Sequence, residues 1–246
     1  GNTSASYIIS AKHSYLPQTS KVFYPYANAN GLPFYYTDLY GKASINSTGG
    51  SKFSVFGFSF NDKVNYADIA SYAWKNLGVG TNFVLVPSGN NLLIEGVFAF
   101  SKYAIDYTNP NLLTDSKHSG ISGVNTGFNF VKFIGKQELR FGFEGVTTNT
   151  DYEVSNNFGA NVSLSRSTID VASYLKYKFI DKNARFIFEP SFRIQYYATL
   201  GVASPEPRAS LKINFTKKIR FKGAAGLYSQ TLMSANSDRD VVNLFY

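Results

Sequence analysis

Two histidines, His13 and His118, and no cysteine are all the imidazole and thiol ligands in a chain of 246 residues. A transition-metal site of ordinary spacing needs paired His or Cys, and neither pairing exists here. His13 lies between Ser10 and Ser14, and a Ser–His–Asp hydrolase needs a histidine positioned against a hydroxyl. Serine is frequent in this sequence, however, so chance proximity accounts for the trio and no enzyme is expected. His118 falls in a polar stretch over 104–120 that reads as a long loop with the imidazole in water. "GVG" (78–80) is too short for a phosphate loop and sits inside a strand pattern, where glycines serve close packing or bending. "DKNAR" (181–185) reads as a turn and not a metal loop, and the sequon "NST" (46–48) carries no weight. No cofactor or metal is expected.

The charges are more informative. In "QELRFGFEG" (137–145), Leu139, Phe141 and Phe143 share one side of an extended chain, and Glu138, Arg140, Gly142 and Glu144 share the other, because side chains alternate along a strand. A soluble sheet would turn the charged face to water; an outer-membrane barrel would turn the apolar face to lipid and the charges to its lumen.

Those faces must be held by strands. Eleven candidates show the alternation: about 4–14, 35–46, 52–61, 72–86, 92–103, 121–133, 137–148, 166–179, 184–197, 207–215 and 219–230. Most are ten residues or longer, against the usual five or six. Ten residues at ~3.3 Å, tilted by ~45°, cover roughly 25 Å, the height of the apolar band of a membrane barrel. Within 169–179, Ile169, Val171, Leu175, Tyr177 and Phe179 oppose Asp170, Tyr174, Lys176 and Lys178. Within 186–196, Phe186, Phe188, Phe192, Ile194 and Tyr196 oppose Arg185, Glu189, Arg193 and Gln195; Pro190 on that apolar face marks an edge or a bulge. Within 208–215, Ala209, Leu211, Ile213 and Phe215 oppose Arg208, Ser210, Lys212 and Asn214. The stretch 52–61 is ambiguous, with Phe53 and Val55 competing against Phe56, Phe58 and Phe60. Connections alternate between short (47–51, 87–91, 134–135, 181–182, 216–218) and long (15–34, 62–71, 104–120, 149–165, 198–206), as periplasmic turns and outer loops do.

Composition agrees. Hydrophobic residues are 44% and aromatics 17%, with 22 Phe and 18 Tyr, while charged residues are only 16%. No apolar run approaches the ~18 residues of a transmembrane helix. The net charge is +8, but no helix carries a basic stripe and the cations are scattered over strands and turns, so no nucleic-acid partner is expected. The N-terminus lacks a basic segment followed by an apolar core, so no signal peptide is read there. The expected fold is all-β: an antiparallel up-and-down meander of about eleven long strands, part of a larger transmembrane β-barrel in a Gram-negative outer membrane. A soluble sandwich would have shorter strands and turns of mixed length. An odd strand number and the abrupt ends, with only six residues after Asp240, suggest that 1–246 is a partial barrel and that Tyr246 lies in an outer loop.

The segments "SPEPRASLKINF" (204–215), "GLYSQ" (226–230) and "SANSDRDVVNLFY" (234–246), in that order, resemble consecutive barrel segments of TonB-dependent outer-membrane transporters. "AKHSYLPQTS" (11–20) and "IFEPSFRIQYYATL" (187–200) resemble the same group. The resemblance implies a barrel of about 22 strands filled by a plug domain, importing a siderophore, vitamin, glycan or similar scarce nutrient with energy from a TonB-type complex that acts through the plug. The plug and the closing strands are expected outside these residues. A passive porin and a structural or secretion barrel without ligand are the alternatives.

On this reading Glu138, Arg140, Glu144, Asp170, Glu189, Arg193, Arg208, Lys212, Arg220 and Lys222 face the lumen or plug. Tight turns at "IG" and "DK" would set Asn125 opposite Glu144, Asn129 opposite Arg140, Asp170 opposite Arg193 and Tyr174 opposite Glu189. A three-residue turn at "TKK" would set Lys212 opposite Lys222 and Asn214 opposite Arg220. Arg208, Lys212, Arg220 and Lys222 then form a cluster without an offsetting carboxylate in their strands, suited to acidic groups of the plug, or else simply solvated. Tyr24, Tyr26, Tyr35, Tyr36 and Tyr107, in stretches read as outer loops, are candidates for binding a small molecule or glycan, since Tyr brings contact area at low entropic cost. Girdle packing is the other reading of them.

Overall fold

The computed structural model describes residues 4–26, 29–66, 69–156, 158–230, 234–237 and 240–245. Eleven antiparallel strands form one sheet in strict sequence order: β1 (Ser4–His13), β2 (Phe34–Asn46), β3 (Lys52–Tyr66), β4 (Ala70–Leu85), β5 (Leu92–Asn109), β6 (Leu112–Ile134), β7 (Gln137–Ser155), β8 (Asn161–Ile180), β9 (Phe186–Tyr197), β10 (Val202–Asn214) and β11 (Arg220–Gly226). β1 and β11 are its edges. The helix α1 (Leu16–Phe23) lies in the β1–β2 connection. A separate hairpin, β12 (Ser234–Ser237) with β13 (Asp240–Phe245), follows β11, and β13 lies against β5, β6 and β7. Tyr246, expected in an outer loop, lies outside the described residues. No described helix is long and apolar enough to cross a membrane.

The ladder assigns every strand a face. Phe143, Phe128, Gly96, Phe83, Phe53 and Ile45 form one cross-strand row, and the residues two apart from them share that side. This outer face carries Leu139, Phe141, Leu175, Phe188, Phe192 and Leu211. Phe98 and Phe143 are each 57% exposed, an arrangement that water penalises and lipid does not. The ambiguity in β3 resolves: Phe53 and Val55 point outward and Phe56, Phe58 and Phe60 inward. Gly78 and Gly80 of β4 make this possible, because a Cβ at either position would overlap the ring of Phe58 or Phe56.

The long loops are mostly strand. β5 and β6 are joined by 110–111 alone, β7 and β8 by 156–160, and β9 and β10 by 198–201. The outward side changes character there instead. Above Phe143, β7 presents Thr147, Asn149, Asp151 and Glu153; above Phe128, β6 presents Ser122, Gly120 and His118; above Val79 and Leu77, β4 presents Lys75. Ser, Thr and Asn keep the ladder going in water, so the strand outlasts its apolar band.

Two turns shift the register without changing faces. Gly135 adopts φ +60° and takes the first loop position, so the β6–β7 turn is Gly135–Lys136. Asn129 then faces Gly142 and Asn125 faces Val146. Between β8 and β9 the whole of 181–185 is loop: the Asp181 side chain accepts from the Asn183 amide at 3.0 Å, and Asp181 closes the loop by donating to Phe186 at 3.0 Å. Asp170 therefore faces Tyr197, and Tyr174 faces Arg193. Pro190 lies inside the sheet and not at an edge; lacking an N–H, it coincides with a lapse in the β8–β9 ladder at Tyr177 and Lys178. The third turn matches expectation, with Lys212 opposite Lys222 and Asn214 opposite Arg220.

Candidate lumen-facing site

Alternation puts all ten charged candidates on the inner face, opposite Phe141 and Phe188. The strands bring most of them together as ion pairs. Arg140 donates to Glu138 at 3.1 Å. Arg193 of β9 crosses β8 and donates to Glu144 of β7 at 2.6 Å. It can reach because Ala172, 2% exposed, is the residue opposite Glu144 on the strand between them. Arg193 also donates to Gln195 at 2.8 Å and lies 3.8 Å from Glu206. Glu189 pairs with Lys176 and lies 3.9 Å from Lys178. Tyr174 donates to Asn129 at 2.6 Å across Gly142, whose missing side chain leaves room for the ring.

Glu206 is the residue that sequence reasoning missed. Its strand begins at Val202 and not at 207, and Pro205 and Pro207 on either side disguised the stretch as loop. Glu206 is 2% exposed. It pairs with Arg208 and accepts from the amide and hydroxyl of Ser229, the amide at 2.8 Å. Tyr197 donates to the same Ser229 hydroxyl at 2.6 Å. The segment after β11 is thus drawn over the inner face, and Arg208 lies 4.3 Å from the centre of the Tyr228 ring. The expected cluster without a carboxylate is corrected: Glu206 neutralises Arg208, and Lys212, Arg220 and Lys222 remain. Among the described residues these three make no ion pair, although Glu189 shares a recess with Lys212 and Lys222.

The tyrosine candidates separate. Tyr24 and Tyr26 follow α1, their rings 6.1 Å apart. Tyr35, Tyr36 and Tyr107 are on strands, Tyr35 outward and the other two inward. Tyr107 donates to Asp115 at 3.3 Å; its position above the apolar band allows burial, with Asp115, to raise its pKa above 10.0. His13 is held by Thr37 at 2.8 Å, and Ser14 donates to the carbonyl of Phe34 at 3.2 Å, so neither is poised as a nucleophile pair. His118 is not solvated in a loop: it stands in β6 on the outer face between Asp106 and Asp151.

No protein-family model matches the sequence, and no characterised protein matches it in sequence. Solved structures do match the fold. A double mutant of the hemophore receptor HasR of Serratia marcescens, in complex with its hemophore HasA and heme, aligns over 89% of this chain at 9% identity and TM-score 0.57. The outer-membrane transporter YddB of Escherichia coli aligns over 87% at 8% identity and TM-score 0.51. The chain spans 39% and 36% of their lengths. It therefore has the fold of a partial outer-membrane β-barrel.

Proposed function

We propose that the chain is part of the barrel of a TonB-dependent outer-membrane receptor that imports a scarce nutrient past a plug. The observation that carries this reading is a sheet with an apolar, exposed outer face and an inner face cross-linked by Glu144–Arg193–Glu206–Arg208 and Lys176–Glu189. Such a wall suits a wet or protein-filled lumen inside lipid. The likeness to two receptor barrels supports it, and in the whole protein a plug and closing strands complete the structure. Lys212, Arg220 and Lys222 face acidic groups of that plug. The substrate belongs to the siderophore, vitamin or glycan range of sizes, too large for simple diffusion.

The test is uptake in cells. Nutrient-limited growth through this protein stops when the energising complex is deleted or the proton gradient is collapsed. Uptake indifferent to both would make the barrel a passive porin.

A further inference from the structure

The inner face of β2–β5 is unlike the ion-paired inner face of β7–β10. Three cross-strand rows stack at its upper end: Phe34, Val64, Tyr72 and Tyr107; Tyr36, Asp62, Trp74 and Ile105; Asp38, Phe60, Asn76 and Tyr103. Tyr72 and Trp74 are stacked, centroids 5.8 Å apart and planes 19° apart, and Tyr107 lies 5.2 Å from Tyr72. Phe34, Tyr36, Phe60, Asp62, Trp74 and Tyr103 line one recess. Tyr35 and Lys63 also border it, but alternation sends their side chains to the outer face.

Asp38 and Asp62 belong to neighbouring rows on adjacent strands; Lys12 of β1 stands opposite Asp38 in register, and among the described residues neither carboxylate has an ion pair within 4.0 Å or a side-chain hydrogen bond. Asn61 and Lys63 on the outer face place this stretch above the apolar band. Burial, and then the charge of Asp38, hold the Asp62 carboxyl above its usual 3.8. A carboxylate in the recess without a paired cation, Asp62, beside aromatic faces favours a positive ligand, since ring quadrupoles and carboxylates attract the same charge. The chain already shows this at the edge of the shelf, where the Lys117 ammonium lies 5.8 Å from the Tyr107 ring centre. A neutral sugar would stack on Trp74 and leave the Asp62 carboxylate unpaired; an anion would be repelled.

We propose that this recess, at the outer mouth of the lumen, binds an organic cation: an ammonium or guanidinium group carried on a small molecule or short peptide. As the entry site for cargo, it rests on the transport reading. The test uses the detergent-solubilised whole protein, with calorimetry and tryptophan fluorescence read against a Trp74→Phe variant. The probes are choline and lysyl-arginine amide, with maltotriose as the neutral counterpart and citrate as the anionic one. The cations bind and citrate does not, and joint Asp38→Asn and Asp62→Asn changes weaken cation binding by roughly tenfold or more with the β-sheet circular dichroism unchanged. Absence of cation binding, or maltotriose binding that survives the double change, overturns the proposal. Cation binding without uptake keeps the site and removes transport; uptake of another nutrient without cation binding does the reverse.

Discussion

Nε2 of His118 lies 2.6 Å from Oδ2 of Asp151, and the opposite ring nitrogen lies 2.5 Å from Asp106. A neutral imidazole has one N–H to donate, and both neighbours are acceptors, so the arrangement favours the imidazolium. Both nitrogens are engaged, which leaves no lone pair for a metal. The three residues belong to β5, β6 and β7, so one ring ties the upper ends of three strands together. Burial alone would lower its pKa; the hydrogen bonds that the ring donates to Asp106 and Asp151 outweigh it and raise the value above 6.5.

The pH dependence follows. Other charges nearby are Lys75, 3.7 Å from Asp106, and Glu153, opposite His118 in register. A raised histidine pKa stabilises fully below the unfolded value near 6.5 and loses that contribution as pH rises through the folded value. Amide exchange at the upper ends of β5–β7 is therefore slow at pH 6 and faster above the folded pKa. A His118→Gln variant shows the fast pattern at both. Equal protection across this range in the unmodified protein would show that the clasp does not hold these strands.

Gly142 gives a second prediction. A Cβ there would come within 2.6 Å of the Phe128 carbonyl, 2.7 Å of the Asn129 side chain and 2.8 Å of the Tyr174 ring. The first of these is backbone and cannot yield cheaply. Gly142→Ala should cost about 1–3 kcal/mol, the usual range for overpacking, and break the Tyr174–Asn129 bond. Urea unfolding of the refolded barrel measures it. Tyr174→Phe, which keeps the ring and loses only the hydroxyl, should cost less.

Cysteine is absent from these 246 residues, so thiols introduced here give a third prediction, read against the otherwise unmodified protein. In intact membranes, Phe143→Cys should resist a water-soluble thiol reagent, while Asn149→Cys, on the same face above the apolar band, and Glu144→Cys, on the inner face, should react. Reaction at Phe143→Cys as fast as at Asn149→Cys would remove lipid from the outer face.

Faces were legible in the sequence because alternation is a local property: Leu139, Phe141 and Phe143 declare their side within five residues. Register was not, because it hangs on which turn residue tolerates a left-handed backbone. Gly135, and not Ile134, took that place, and Asp181 gathered 181–185 into one loop. Ion pairs were legible only as types. Arg193 meets Glu144 from 49 positions away, and His118 meets Asp151 from 33, distances that no local pattern spans. Glu206 was hidden because the prolines beside it lack the N–H by which a strand is ordinarily recognised, although both sit on the outer face of β10 without breaking its pairing to β9.

Lys212 and Lys222 stand directly opposite each other on the inner face, with Arg220 beside Asn214 in the next row. Like charges in direct opposition destabilise a sheet, and the inner-face carboxylate of β10, Glu206, is already committed to Arg208 and Ser229. Glu189 borders the same recess but is held by Lys176. These three cations lie beside the β10–β11 turn at 215–219, the end of the sheet away from the aromatic recess, where a plug would seat and arriving cargo would not. Lys212→Glu with Lys222→Glu in the full-length protein should therefore loosen plug docking, read as faster proteolytic release of the plug and reduced uptake, at low salt more than at high. The Lys212→Gln and Lys222→Gln pair, which removes repulsion without reversing charge, should show a smaller loss. Unchanged docking and uptake in the charge-reversed protein would mean that water alone solvates the two lysines.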